Sequence, residues 1–204
     1  MGIKALIWDL GGVLVRTEDP APRRSLAARF GLDSGELEDL VFASEVGQNA
    51  QLGTVSSAQL WEYVLNRLGA PQSEARAIEL EFWGGDRLDP DLVGWIRRQR
   101  SQYKIMLLSN AWDNLRLAMA ERWGILDSFD SVVISAEVGL MKPDPRIYSL
   151  ALGQAGVEAS EVVFIDDLPT NVGAARALGM QAVHFRSPAQ ALAELEEILE
   201  RQRG

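Results

Sequence analysis

Apolar and β-branched residues gather in short runs at Ile3–Trp8, Lys104–Leu108, Ser131–Ile134, Val162–Ile165 and Gln181–Phe185. Each run has strand length and is close to continuous, the pattern of a strand buried on both faces. The segments between the later runs carry apolar residues at helical spacing. Several of these open with an N-cap side chain and proline at the first helical position: Asp89-Pro90 before Leu92, Trp95 and Ile96; Asp144-Pro145 before Ile147, Tyr148 and Ala151; Ser187-Pro188 before Leu192, Leu195 and Ile198. Strands alternating with helices predict a doubly wound α/β fold, a Rossmann-like parallel sheet with helices on both faces.

The alternation fails between Arg16 and Gly85. That stretch has no strand pattern, only helical ones over Ala21–Phe30, Glu36–Ala43 and Gln59–Leu68, the last behind the capping-box sequence Ser56-Ser57-Ala58-Gln59. The expected organisation is a core of residues 1–15 and 86–204, with a small helical cap of residues 16–85 inserted after the first strand. Paired glycines at Gly84-Gly85 offer the cap a hinge. The Glu-rich end, Ala191–Arg203, reads as an amphipathic surface helix.

A chain of 204 residues can bury one substantial core and a modest insertion. A formal net charge of -9 opposes nucleic acid and anionic membranes as partners. With no cysteine, disulfide frameworks, thiolate metal sites and cysteine nucleophiles are all excluded, and the cytoplasm is the expected location. The opening residues Met1 to Trp8 lack the features of a signal peptide, and no apolar run reaches membrane-spanning length, so a soluble, unprocessed protein is expected.

In open α/β sheets, ligands bind outside the carboxyl ends of the strands. Here those ends read Asp9-Leu10-Gly11-Gly12-Val13, Ser109-Asn110, Lys142-Pro143-Asp144 after the third run, and Asp166-Asp167. Taken singly, the first is a tight turn, the second a helix start and the third a solvated charge. Adjacent carboxylates beside a buried strand resist such a reading, because they repel and desolvate unless a cation or donors compensate them. Together the residues suit phosphoryl transfer. Asp9 serves as covalent nucleophile, and Mg2+ takes the oxygens of Asp9, Asp166 and Asp167. Lys142 and Ser109 stabilise the phosphoryl oxygens, while Gly11 and Gly12 let the backbone turn and offer its amides.

These residues, in this order, resemble the four motifs of the haloacid dehalogenase superfamily, and the resemblance runs over nearly the whole chain. It implies that Asp9 is nucleophile and metal ligand, that the Gly11 carbonyl and Asp167 bind magnesium directly, and that Asp166 acts through a bound water. It also implies that Ser109 and Lys142 hold the phosphoryl group, that Asn110 fixes the loop, and that the cap closes over the site to exclude water. One departure stands out. Phosphatases of this family usually carry a second aspartate two residues after the nucleophile, as general acid and base, and Gly11 occupies that position. General acid-base catalysis is worth about 10²-fold to 10⁴-fold. Glu18, Asp19 and Glu45 of the cap are candidate substitutes; the only histidine, His184, reads as a packing or capping residue, and Trp112 as core or, next to Ser109-Asn110, as lining the pocket entrance.

The expected activity is Mg2+-dependent hydrolysis of small phosphorylated metabolites, sugar phosphates among them, by a monomer or homodimer. Two rivals remain at this level. One is a metal-independent 2-haloacid dehalogenase, which also lacks the second aspartate. The other is a phosphate-binding regulatory protein that kept the fold and lost turnover.

Overall fold

In the computed structural model, which describes residues 2–201, the central sheet is built from β1 (Ala5–Trp8), β4 (Lys104–Ser109), β5 (Ser131–Ile134), β6 (Val162–Asp166) and β7 (Gln181–His184). All neighbours pair in parallel, in the order β5-β4-β1-β6-β7. Side chains of β1 alternate between two cores. Leu6 and Trp8 meet Leu92 and Ile96 of α6 (Pro90–Gln99) and Leu195 and Leu199 of α11 (Pro188–Arg201). Ala5 and Ile7 meet Ile147, Tyr148 and Ala151 of α9 (Pro145–Ala155) and Val172 and Ala175 of α10 (Pro169–Ala177). This is the doubly wound α/β arrangement, with apolar strands covered on both faces. Gln202 and Arg203, at the end of the expected C-terminal helix, lie outside the described residues, as does Met1.

The predicted helix starts have the expected chemistry. Asp89 accepts a hydrogen bond from Leu92 N at 2.9 Å, Asp144 from Arg146 N at 2.9 Å, and Ser187 Oγ from Gln190 N at 3.3 Å. At α4 (Ser57–Leu68) both bonds of the capping box between Ser56 and Gln59 are present.

One expectation fails. The stretch taken as strandless begins inside a strand: β2 (Val15–Thr17) pairs antiparallel with β3 (Asp86–Leu88) in a separate ribbon. Three residues are too few to display a period of two, and the pairing is between distant segments, so no local pattern announced it. Between these strands lie α1 (Ala21–Arg29), α2 (Ser34–Glu38), α3 (Glu45–Gln51), α4 and α5 (Ala75–Phe82), packed around Leu26, Leu37, Val41, Leu60, Val64, Ile78 and Phe82. The helical run expected over Glu36–Ala43 changes character at Asp39, where α2 gives way to a π-helical turn, Asp39–Ala43. At the expected hinge, Gly85 O accepts hydrogen bonds from Glu18 N and Asp19 N, and Gly85 lies so close to the Asp19 carbonyl that a Cβ would not fit.

The remaining helices are short: α7 (Leu115–Leu117) follows β4, and α8 (Ser135–Val138) follows β5. No helix among the described residues is long and apolar enough to cross a membrane.

Candidate active site

Strand β1 lies at the switch point of the sheet, with β4 on one side and β6 on the other. A crevice opens at the carboxyl end of such a strand. Asp9, the residue after β1, is only 7% exposed, and Lys142 and Asp166 are buried beside it. Lys142 Nζ lies 2.8 Å from Asp9 Oδ1 and 2.6 Å from Asp166 Oδ2. Carboxylate oxygens of Asp9, Asp166 and Asp167 fall within 4.8 Å of one another. Three carboxylates therefore cluster beside one ammonium, which pairs with two of them.

The protonation equilibria record this imbalance. Burial pushes the Asp9 carboxyl up from 3.8 to about 7; Lys142 opposes the rise and the charge of Asp166 adds to it. Asp167 is also raised, first by burial and then by Asp166, against the pull of Lys142 and His184. Burial alone would lower the Lys142 value, but Asp9 and Asp166 outweigh it and hold the ammonium charged.

The donors suit a divalent cation. They are all oxygens, the ligands that Mg2+ takes, and the surplus negative charge at a buried site is what such an ion would neutralise. Asp9 uses Oδ1 for Leu10 N at 2.7 Å and for Lys142 Nζ. Asp166 is occupied otherwise: Oδ1 accepts from Leu168 N at 2.8 Å and Asn171 Nδ2 at 3.0 Å, and Oδ2 accepts from Lys142 Nζ.

Gly12 sits at φ +74° in the turn after β1, and a Cβ there would collide with the Asp167 carboxylate. The positive φ therefore favours glycine, and any larger residue would push the Asp167 side chain aside. Gly12→Ala is expected to lose about 1–3 kcal/mol of stability. It should also displace Asp167, so that adding Mg2+ no longer raises the melting temperature; an undiminished Mg2+-induced shift would show that Asp167 is not a ligand.

The other predicted residues lie around this centre. Ser109 is buried at the end of β4. Asn110 clasps the lysine loop through both ends of its amide, Nδ2 to Lys142 O at 2.8 Å and Lys142 N to Oδ1 at 2.7 Å. Gly11 is exposed, with nothing within 4 Å of where its Cβ would stand. His184 Nε2 is 3.0 Å from the Asp167 carbonyl, a loop tie. Trp112 is buried against the helical insert. Of the acidic substitutes considered for Gly11, Asp19 accepts from Ala21 N at 2.9 Å, Glu18 lies 3.7 Å from Arg16, and Glu45 is exposed in the first turn of α3. None is brought to Asp9 by these contacts.

Sequence reasoning missed Asn171 and Ser135. Asn171 is buried in the first turn of α10, with its amide on both oxygens of Asp166 and its carbonyl accepting from Tyr148 OH at 3.1 Å. A polar residue in the first turn of the helix after the acidic pair was the available signal. Ser135 Oγ accepts from Ala111 N at 2.9 Å and donates to Ala111 O at 3.1 Å, joining the loops after β4 and β5. It had no signal beyond its position at a strand end.

A buried carboxylate held by a lysine at the end of the central strand is a group that can serve as a nucleophile, and a hydrolase is the class such a site fits. The comparisons agree. The model of the haloacid dehalogenase-like hydrolases matches residues 3–179, and the chain belongs to that family. It is 29% identical over 203 residues to Sesquiterpene phosphatase astK of Aspergillus oryzae, which covers 96% of both chains. It is 33% identical over 218 residues to Bifunctional epoxide hydrolase 2 of Sus scrofa, covering 97% of this chain but 39% of that protein. Among solved structures, a haloacid dehalogenase family enzyme from Bacteroides thetaiotaomicron, in complex with magnesium and inorganic phosphate, superposes with a TM-score of 0.77. That match has 23% identity and covers 92% of this chain and 96% of the other, and it shows the shared fold.

Proposed function

We propose that this hydrolase is a Mg2+-dependent phosphatase of small phosphate monoesters, acting through a phosphorylated Asp9. The observation that carries the reading is the cluster of Asp9, Asp166 and Asp167, with one buried lysine paired to the first two. A site for a carboxylate-bearing haloacid needs spare cationic charge, whereas here the lysine is already shared by two carboxylates and the excess is negative.

In the first half-reaction an Asp9 oxygen attacks phosphorus, the P–O bond to the alcohol breaks, and the leaving oxygen takes a proton. In the second, water attacks the same phosphorus, releases inorganic phosphate and restores the carboxylate. Bound Mg2+ would act as a Lewis acid on the phosphoryl oxygens. Asp9 and Asp167, with the Gly11 carbonyl, would hold it. Lys142 orients Asp9 and lies where it can neutralise charge on the transferring group; Asp166, fixed by Asn171, keeps that ammonium in place. Ser109 donates from the β4 side. The proton for the leaving group comes from solvent, since Gly11 has no side chain to supply it.

The helical insert supports a capping role, because it touches the core at the same edge. Ser57 N donates to Asp113 Oδ1 at 3.2 Å, and Gly53 packs tightly on the Ala136 carbonyl. We place the cap at residues 16–85 and the core at 1–15 and 86–204, with the β2–β3 ribbon at the junction.

Hydrolysis of acetyl phosphate tests this reading. Turnover is expected with Mg2+ and is expected to vanish in EDTA and return when Mg2+ is restored. Folded protein that leaves acetyl phosphate intact in Mg2+, or hydrolyses it equally in EDTA, would overturn it.

A further inference from the structure

We propose that the organic half of the ester is apolar, and that Phe42, Trp83 and Trp112 form the wall that receives it. The inference rests on the phosphatase reading and replaces the sugar phosphates expected from sequence.

Trp112 lies three residues beyond Ser109, on the loop leaving β4. That loop is anchored beside the catalytic cluster by the Asn110 clasp on Lys142 and the Ala111 bonds to Ser135. Phe42 comes down from the insert and stacks on Trp112, ring centroids 5.8 Å apart at 22°. Trp83 meets both edge-on, at 5.9 Å from Phe42 and 5.6 Å from Trp112. These contacts put an aromatic surface one side chain away from the Ser109 loop.

Trp112 is itself only 6% exposed and backs the wall, so the wall's open part is Phe42 and Trp83. Phe42 is 36% exposed and Trp83 half-buried, while Trp61 and Phe82 close the cluster from behind. Phe42 rides on the π-helical turn Asp39–Ala43, a backbone form that often marks a functional position. On the other side of the cluster, Leu168 directly follows Asp167 and is 50% exposed. Exposed apolar groups thus stand on both sides: Phe42, joined to the Ser109 loop through Trp112, and Leu168, next to the acidic pair.

Several polar side chains near the rings are engaged within the protein. Gln51 Nε2 donates to Phe42 O at 3.1 Å and Gln48 Nε2 to Ala43 O at 3.0 Å, so both amides cap the π-turn. Arg23, over the Phe82 ring at 4.4 Å, is paired with Glu38 and Asp86. Asp113, next to Trp112, accepts from Ser57 N. An alkyl or aryl chain bound through its phosphate would bury apolar surface against the rings, whereas a sugar would lose hydration without recovering hydrogen bonds.

Octylphosphonate, methylphosphonate and glucose 6-phosphate serve as probes, their binding in Mg2+ followed by tryptophan fluorescence, with acetyl phosphate turnover measured in parallel. Each methylene buried in apolar surroundings is worth about fourfold in affinity. Octylphosphonate is therefore expected to bind at least about 50-fold tighter than methylphosphonate and tighter than glucose 6-phosphate. Phe42→Ala should cut the octyl-to-methyl ratio at least about tenfold, and Phe42→Leu should retain most of it. Equal binding of the two phosphonates, preference for glucose 6-phosphate, or an unchanged ratio in Phe42→Ala would overturn the apolar wall. Failure to hydrolyse acetyl phosphate would overturn the phosphatase reading while the affinity ratio still decides the inference.

Discussion

Asp9→Asn is expected to lower turnover of acetyl phosphate by about 10⁴-fold or more, the scale on which enzymes lose activity when a covalent nucleophile is removed. The fold should survive. An asparagine oxygen can keep the hydrogen bond from Leu10 N, now 2.7 Å, and Lys142 keeps its partner Asp166. Single-turnover kinetics would check the result, with circular dichroism to verify folding; a variant retaining full activity would refute Asp9 as nucleophile.

The same pair of proteins reports on the Asp9 proton. Burial holds the folded-state value at about 7 against an ordinary 3.8, so between these values the folded chain keeps a proton that the unfolded chain releases. The stabilising contribution is therefore complete below the ordinary value and is lost as pH rises towards the folded one. In EDTA the wild type should lose melting temperature relative to Asp9→Asn across this window. Parallel profiles would mean that the carboxyl titrates normally.

The second large effect is a gain. Gly11→Asp is expected to accelerate hydrolysis of esters with poor leaving groups by about 10²-fold to 10⁴-fold, and acetyl phosphate much less, because a good leaving group needs no proton. The position is sterically open: a Cβ there meets nothing within 4 Å, and Gly11 is not among the glycines with positive φ. A series of alkyl and aryl phosphates graded by leaving-group basicity would reveal the change as a flattened dependence of kcat/KM. Uniform acceleration across the series would mean that proton donation is not what Gly11 lacks.

The contrast between Gly11 and Gly12 shows where sequence reasoning stops. Both read as turn glycines beside the nucleophile. Only the structure separates them, since Gly11 faces open space and Gly12 lies against the Asp167 carboxylate, from the loop after the adjacent strand β6. Asp166 and Asp167 likewise read as one acidic pair. The fold gives Asp166 to Lys142, Asn171 and Leu168, and leaves Asp167 facing the Gly12 turn.

The insert follows the same division. Its helices were legible from periodicity and from the Ser56–Gln59 capping box, both local signals. Phe42 read as one more apolar position in a helical pattern, and Trp112 as core or as the pocket entrance. Their stacking, and the exposure of Phe42 beside the Ser109 loop, depend on a contact between segments that are distant in the chain.

Sequence by itself determined the five strands of the main sheet, the capped helices between them, the doubly wound class and the residues at the strand ends, because apolar periodicity, N-capping and turn chemistry act over a few neighbouring residues. Tertiary structure alone decided the β2–β3 ribbon, the sharing of Lys142 between Asp9 and Asp166, the part played by Asn171 and the aromatic wall. Each of these is set by packing and by electrostatics at distances of a few ångströms, between residues that no local pattern brings together.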